Sequence, residues 1–151
     1  MADLAARLAV LEDREAIREL IACYGPLADT GDAAALARLW AIDGEYEVVG
    51  FATASGRAEI AALIEGPVHQ ALMADGCAHL LGPVAIDIHG DSALARGHSV
   101  VFRRKGGGFA AHRVSANRWH LVRTIDGWQV ARRSNALLDG TAAARALLAL
   151  S

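Results

Sequence analysis

Apolar residues recur at three- and four-residue steps through the first third of the chain: Leu4, Leu8, Leu11, Ile17, Leu20, Ile21, Tyr24, Leu27 and Ala28. That period predicts one long helix with these side chains on its buried face, and with Arg7, Glu12, Arg14, Glu15, Arg18 and Glu19 on its wet side. Pro26 predicts a kink or a new turn. Thr30-Gly31-Asp32 ends the helix, and Asp32 caps a short second helix carrying Leu36, Leu39 and Trp40. After Asp43-Gly44 the texture changes. Glu45 to Phe51 reads as a strand and Gly56-Arg57 as a turn; Ala58 to Glu65 reads as a helix that Pro67 to Met73 extends by another turn or two. From Asp75-Gly76 onward the pattern is β, in segments at 77–89, 92–105, 109–125 and 128–138. These are separated by His89-Gly90-Asp91, Gly106-Gly107-Gly108 and Asp126-Gly127, which are hairpin turns because Gly and Asp tolerate positive φ. An Ala- and Leu-rich helix, Thr141 to Leu150, closes the chain.

Helices first and a meander of long antiparallel strands after them is an α+β arrangement. It predicts a cone-shaped α+β barrel, helices packed on a strongly curved antiparallel sheet, as one domain over 1–151. The inside of such a cone is apolar and suits a small-molecule pocket. Strand alternation nominates what faces it. In 92–105, Leu94, Arg96, His98, Val100 and Phe102 share one parity; in 109–125, Ser115, Asn117, Trp119 and Leu121 share a face; around residue 79, Cys77, His79 and Leu81 align. His112 and His120 take the opposite parity and are expected to face away.

Asp29 stands next to Leu27-Ala28 on the buried face of the first helix, where an unpartnered carboxylate costs several kcal/mol. Taken alone it is a helix-ending Asp, and His79 and His98 taken alone are core histidines bonded to backbone. Ser115 and Asn117 alone are cross-strand polar pairs, and Tyr24 a core aromatic. Taken together they are an acid, two imidazoles, a hydroxyl and an amide in an oily surround. A carboxylate on one ring nitrogen of His79 leaves the other as a proton acceptor, while His98, Ser115 and Asn117 would hold a substrate oxygen.

Composition narrows the classes. With 54% hydrophobic and 21% charged residues among 151, the chain is not disordered, and a net charge of −2 argues against a general nucleic-acid binder. Eight cations do cluster between Arg103 and Arg133, a weaker pointer to nucleic acid than to an outer sheet face or an interface. Cys23 and Cys77 read as free buried thiols of a reducing compartment. The start Met1-Ala2-Asp3-Leu4 lacks a basic, apolar leader and no stretch suits a bilayer, so a soluble, cytoplasmic protein without membrane attachment is expected. No spacing suggests a metal site. Val114, Ala116, Val122 and Ala131 among the outer-face arginines predict burial against another copy, as a homo-dimer or trimer.

Leu11-Glu12-Asp13-Arg14-Glu15-Ala16-Ile17-Arg18-Glu19-Leu20, then Tyr24, then Asp29-Thr30-Gly31-Asp32, resembles the start of a SnoaL-like domain of the nuclear transport factor 2-like superfamily. Ile125-Asp126-Gly127-Trp128-Gln129-Val130 is similar to that group's last hairpin. Asp29, His79, His98 and Ser115-Ala116-Asn117 resemble the polar pattern of the scytalone dehydratase family, and the Asp–His pair also resembles hexachlorocyclohexane dehydrochlorinase and bile-acid 7α-dehydratase. Ala28 stands where scytalone dehydratase has a water-orienting tyrosine, leaving Tyr24 or Tyr46 for that role.

The resemblance implies a dehydratase-like lyase or isomerase that needs no metal or organic cofactor. Asp29, His79 and His98 would be catalytic. Tyr24, Tyr46, Ser115, Asn117, Trp119 and Phe102 would surround a small apolar, cyclic, oxygenated substrate. The alternative is a non-catalytic ligand-binding or assembly module, polyketide-cyclase-like or dioxygenase-small-subunit-like, favoured if Trp119, Phe102 and Met73 fill the pocket.

Overall fold

The computed structural model describes residues 3–150; Met1, Ala2 and Ser151, outer positions of the domain expected over 1–151, lie outside the described residues. Helix α1 spans Leu4–Thr30. It continues through Pro26, whose missing N–H leaves only the carbonyl of Ala22, an exposed position, without its helical bond. Thr30 Oγ1 donates to the Pro26 carbonyl at 2.9 Å, and Gly31, at φ +71°, ends the helix in the left-handed conformation. Ile17, Ile21, Tyr24 and Ala28 are buried as the period predicts, but Leu4, Leu8 and Leu11 are exposed; the contacts of α1 with the sheet begin at Asp13 and Arg14, which bond Trp128 and the Ile86 carbonyl.

Asp32 caps α2 (Ala33–Ala37) by accepting from the Ala35 N–H. Trp40 does not belong to that helix: it opens β1 (Trp40–Val48), and β2 (Ala52–Ser55) returns antiparallel to it. Helices α3 (Gly56–Glu65) and α4 (Pro67–Asp75) follow, the second with Pro67 in its first turn. The expected 77–89 strand is two strands, β3 (Cys77–Leu81) and β4 (Ala85–His89), interrupted at Gly82-Pro83-Val84. Both pair along the same edge of β5 (Ser92–Lys105). Strands β6 (Gly108–Thr124) and β7 (Gly127–Leu137) complete a seven-stranded sheet of order β2-β1-β7-β6-β5-β3, and α5 (Ala142–Ala146) ends the ordered elements. The pairing is antiparallel throughout except for β1 on β7, which is parallel.

Helices α1 to α4 lie on one side of this curved sheet, and the core between them and the sheet gathers Ile17, Ile21 and Tyr24 of α1 with Trp40, Trp119, Leu121 and Val130. On β5 the buried row is Ala93, Ala95, Gly97 and Ser99. The expected inward parity of this strand is therefore reversed: His98 is exposed, and Arg96 is buried on the outer side against Asp87. The physical reason is volume. The row turned to the core is built from small side chains, with Gly97 needed because a Cβ there would lie 2.8 Å from the Pro83 carbonyl oxygen, and the bulkier Leu94, Val100 and Phe102 occupy the other row. On the outer side Ala116 and Ala136 are buried within the chain itself. Arg118 ties α5 down there by donating to the carbonyls of Ala146, Leu147 and Ala149. No helix among the described residues is long and apolar enough to cross a membrane.

Candidate functional site

The last turn of α1 carries Asp29, and a carboxylate there faces the negative end of the helix dipole. It is held by donors from β3. The His79 backbone N–H donates to Asp29 Oδ2 at 2.9 Å, the His79 ring Nδ1 lies 2.7 Å from Oδ1, and the Cys77 thiol lies 3.6 Å from the same oxygen. Burial and the neighbouring Asp29 push the Cys77 thiol up, so it remains a donor. With Nδ1–H directed at the carboxylate, the lone pair of Nε2 is left for the cavity that His79 lines. Burial lowers the His79 pKa below its ordinary value of 6.5; Asp29 opposes that shift, while His69 and Arg133 add to it. The ring is a neutral base at neutral pH.

Gly25 makes this approach geometrically available. A methyl group at residue 25 would sit 2.2 Å from the His79 carbonyl oxygen, so β3 backs onto α1 only because that position has no side chain. Gly25→Ala is expected to destabilise the fold by roughly 1–3 kcal/mol through overpacking. A thermal melt unchanged from the natural protein would show that β3 moves aside freely.

The dyad opens on a cavity of about 500 Å³. Its polar lining includes Tyr24, Tyr46, Ser115, Arg133 and His69, with apolar walls from Leu63, Val68, Leu72 and Val101. Asp29 and His79 meet as the residue pattern anticipates, and Tyr24, Tyr46 and Ser115 reach the same cavity. Asn117 lies one layer behind, donating to Ser99 Oγ at 2.8 Å and accepting from Arg133 and Asn135. Trp119 is core beneath Arg133 rather than lining. His98 and Phe102 fall outside the cavity, a correction that follows from the reversed face of β5. The space is not filled by Trp119, Phe102 or Met73. His112, expected to face away, lines the cavity because β6 carries a bulge there: Val101 pairs with Arg113, but Phe102 pairs with Ala111.

Two residues that pattern reading passed over stand out. Arg133 is 2% exposed, with its guanidinium 4.2 Å from the Tyr24 ring, 4.7 Å from Tyr46 and 4.2 Å from Trp119. Nε and Nη2 donate to Asn117 Oδ1, while Nη1 is buried without a partner, as is Ser115 Oγ. Burying a charge without a counter-ion costs several kcal/mol, which three ring faces offset in part. The Tyr24 phenol is held well above its ordinary range, chiefly by burial, and so remains a donor. His69 of α4 donates Nε2–H to the Ala28 carbonyl at 2.7 Å and packs against His79 with ring centroids 5.3 Å apart and ring planes tilted by 38°. Its only sequence signal is a three-residue step to Leu72 on the buried side of a short helix.

Asp29, Cys77 and His79 also offer three ligand atoms within 4.8 Å of one another. A divalent cation would fit that donor set only by displacing the hydrogen bonds that now converge on Asp29 Oδ1, since the thiol and ring N–H both point their protons at that oxygen.

The comparisons with known proteins agree with this architecture. A solved nuclear transport factor 2-like protein with a cystatin-like fold from Novosphingobium aromaticivorans is 68% identical over 99% of both chains, with a TM-score of 0.97. A candidate scytalone dehydratase of that organism superposes with a TM-score of 0.71 at 21% identity over 83% of each chain. A candidate aromatic ring hydroxylase, also from that organism, gives 0.69 at 24% identity over 85% of this chain and 90% of its own. At those identities they are alike in fold. No protein of curated function matches the chain. The SnoaL-like domain family is matched over residues 9–134, and the chain belongs to it.

Proposed function

We propose that this protein is a lyase or isomerase that removes a proton from carbon next to a carbonyl or phenol, on a small, largely apolar, cyclic oxygenated substrate. The observation that carries the reading is the 2.7 Å contact of Asp29 with His79 Nδ1 at the wall of a cavity of about 500 Å³. Nε2 takes the proton, and Asp29 stabilises the imidazolium that forms. The electron pair of the C–H bond moves toward the substrate oxygen, where Arg133 Nη1 and Ser115 Oγ are buried donors without partners. In an elimination the pair then expels hydroxide from the β carbon, which takes the proton from His79 and leaves as water. In an isomerisation the imidazolium returns the proton to another carbon. His98, exposed on β5, takes no part; the Tyr24 and Tyr46 hydroxyls are the remaining acids at the cavity. This chemistry runs on the chain's own residues.

The test is solvent exchange. A panel of mono- and bicyclic ketones and β-hydroxyketones is incubated with protein in heavy water and read by mass spectrometry. Deuterium uptake at the α carbon faster than in buffer alone, with loss of water from the hydroxyketones if the reaction is an elimination, is the expected result. Uptake no faster than buffer across the panel defeats the proposal.

A further inference from the structure

Two arginines line the cavity, Arg133 of β7 and Arg113 of β6, and neither belongs to any ion pair among the described residues. The contrast with their neighbours is sharp. Arg103, Arg123 and Arg132 each meet a carboxylate, and buried Arg96 meets Asp87. The two cavity arginines are instead held by amides. Arg113 Nε and Nη2 donate to Asn135 Oδ1 at 3.2 and 3.0 Å. Asn135 Nδ2 donates to Asn117 Oδ1, and that oxygen takes both bonds from Arg133.

This network fixes two guanidiniums without neutralising either, and among the described residues neither Nη1 has a hydrogen-bond partner. An aspartate at position 117 or 135 would give similar reach to the arginines and would cancel the charge. The β6 bulge adds to the same wall by turning His112 toward the cavity beside Arg113. The remaining lining is mainly aliphatic and aromatic.

We propose that the cavity binds an organic anion, a carboxylate carried on an apolar ring, and that Arg113 is the residue that selects the carboxylate. Planar guanidinium matches carboxylate with two parallel bonds, and Arg113, half-buried at the cavity wall and held by Asn135, is already positioned to make them. Arg133 and Ser115 remain available to a second oxygen on the ring. The inference rests on this cavity taking a small molecule and not on the proton transfer proposed above.

The test reads binding alone. 2-Naphthoate and 2-naphthylmethanol have nearly the same shape and differ in charge, and their affinities for the whole protein are measured by calorimetry at neutral pH. Naphthoate is expected to bind at least about tenfold more tightly than the alcohol, the worth of a charge-assisted pair. Arg113→Gln is expected to bring naphthoate down to the alcohol's affinity, and Arg113→Lys to restore part of the difference. Equal affinities of the two probes for the natural protein overturn the proposal, and need no variant to fold. Naphthoate preference undiminished in Arg113→Gln overturns the assignment of Arg113. Neither result depends on deuterium exchange, so anion binding and proton transfer can fail separately.

Discussion

His79→Gln is expected to slow deuterium exchange into a ketone that the natural protein turns over by roughly 10²–10⁴-fold, the usual worth of a positioned general base. The amide fills much of the ring's space but cannot take a proton from carbon. Asp29→Asn tests the other half of the pair. It keeps an acceptor near Nδ1 and the His79 backbone N–H, while removing the charge that stabilises the imidazolium. The pH dependence separates these roles. His79 lies below its ordinary value of 6.5, so in the natural protein the rate falls as pH drops through a midpoint under 6.5. Asp29 is the group that raises the ring's affinity for protons, and without it the midpoint moves lower still. Stability follows the same sign. A histidine whose folded value is depressed contributes stability above pH 6.5 and loses it as acid charges the ring, so melts should weaken below that pH and less so in His79→Gln. An Asp29→Asn profile that moved to higher pH, or a His79→Gln protein exchanging at the natural rate, would remove the dyad from the chemistry.

The helix-then-meander order, the turn at Gly31 and the three long strands β5 to β7 were legible because period and glycine placement are local signals. Asp29 was legible for the opposite reason, as a local misfit, an acid among Leu27, Ala28 and the end of a helix. The face of β5 was not. Alternation names two rows and leaves the choice between them to hydrophobicity, which favours Leu94, Val100 and Phe102; the structure instead turns Ala93 and Ala95 into the core and packs Gly97 against the Pro83 carbonyl, where a side chain would clash. That single inversion removed His98 and Phe102 from the site. The bulge at His112 undid alternation a second time. Arg133 was hidden among eight cations of the second half, since nothing in its neighbours along the chain distinguishes it from Arg132. Arg132 bonds Glu45 and Glu47 at the surface, and Arg133 is sealed under three aromatic rings from α1, β1 and β6. Contacts so distant in sequence have no local signature.

Arg133→Met should separate what Arg133 does for the fold from what it does for the reaction. Methionine leaves an unbranched apolar side chain among Tyr24, Tyr46 and Trp119, and Asn117 Oδ1 keeps its bond from Asn135. The melt then reflects two opposed changes. Loss of three cation–π contacts destabilises, and removal of a desolvated charge with an unpaired Nη1 stabilises, so the fold is expected to persist. Exchange has no such compensation. The charge that develops on the substrate oxygen loses the guanidinium donor at the buried end of the cavity, and loss of one such donor costs about 10²–10³-fold in rate. Ser115→Ala should cost less, because the hydroxyl is neutral, and the two losses should not simply add if both donors meet one oxygen. A folded Arg133→Met protein with unimpaired exchange would make Arg133 a structural pillar, and would leave the developing charge to Ser115 and the tyrosines.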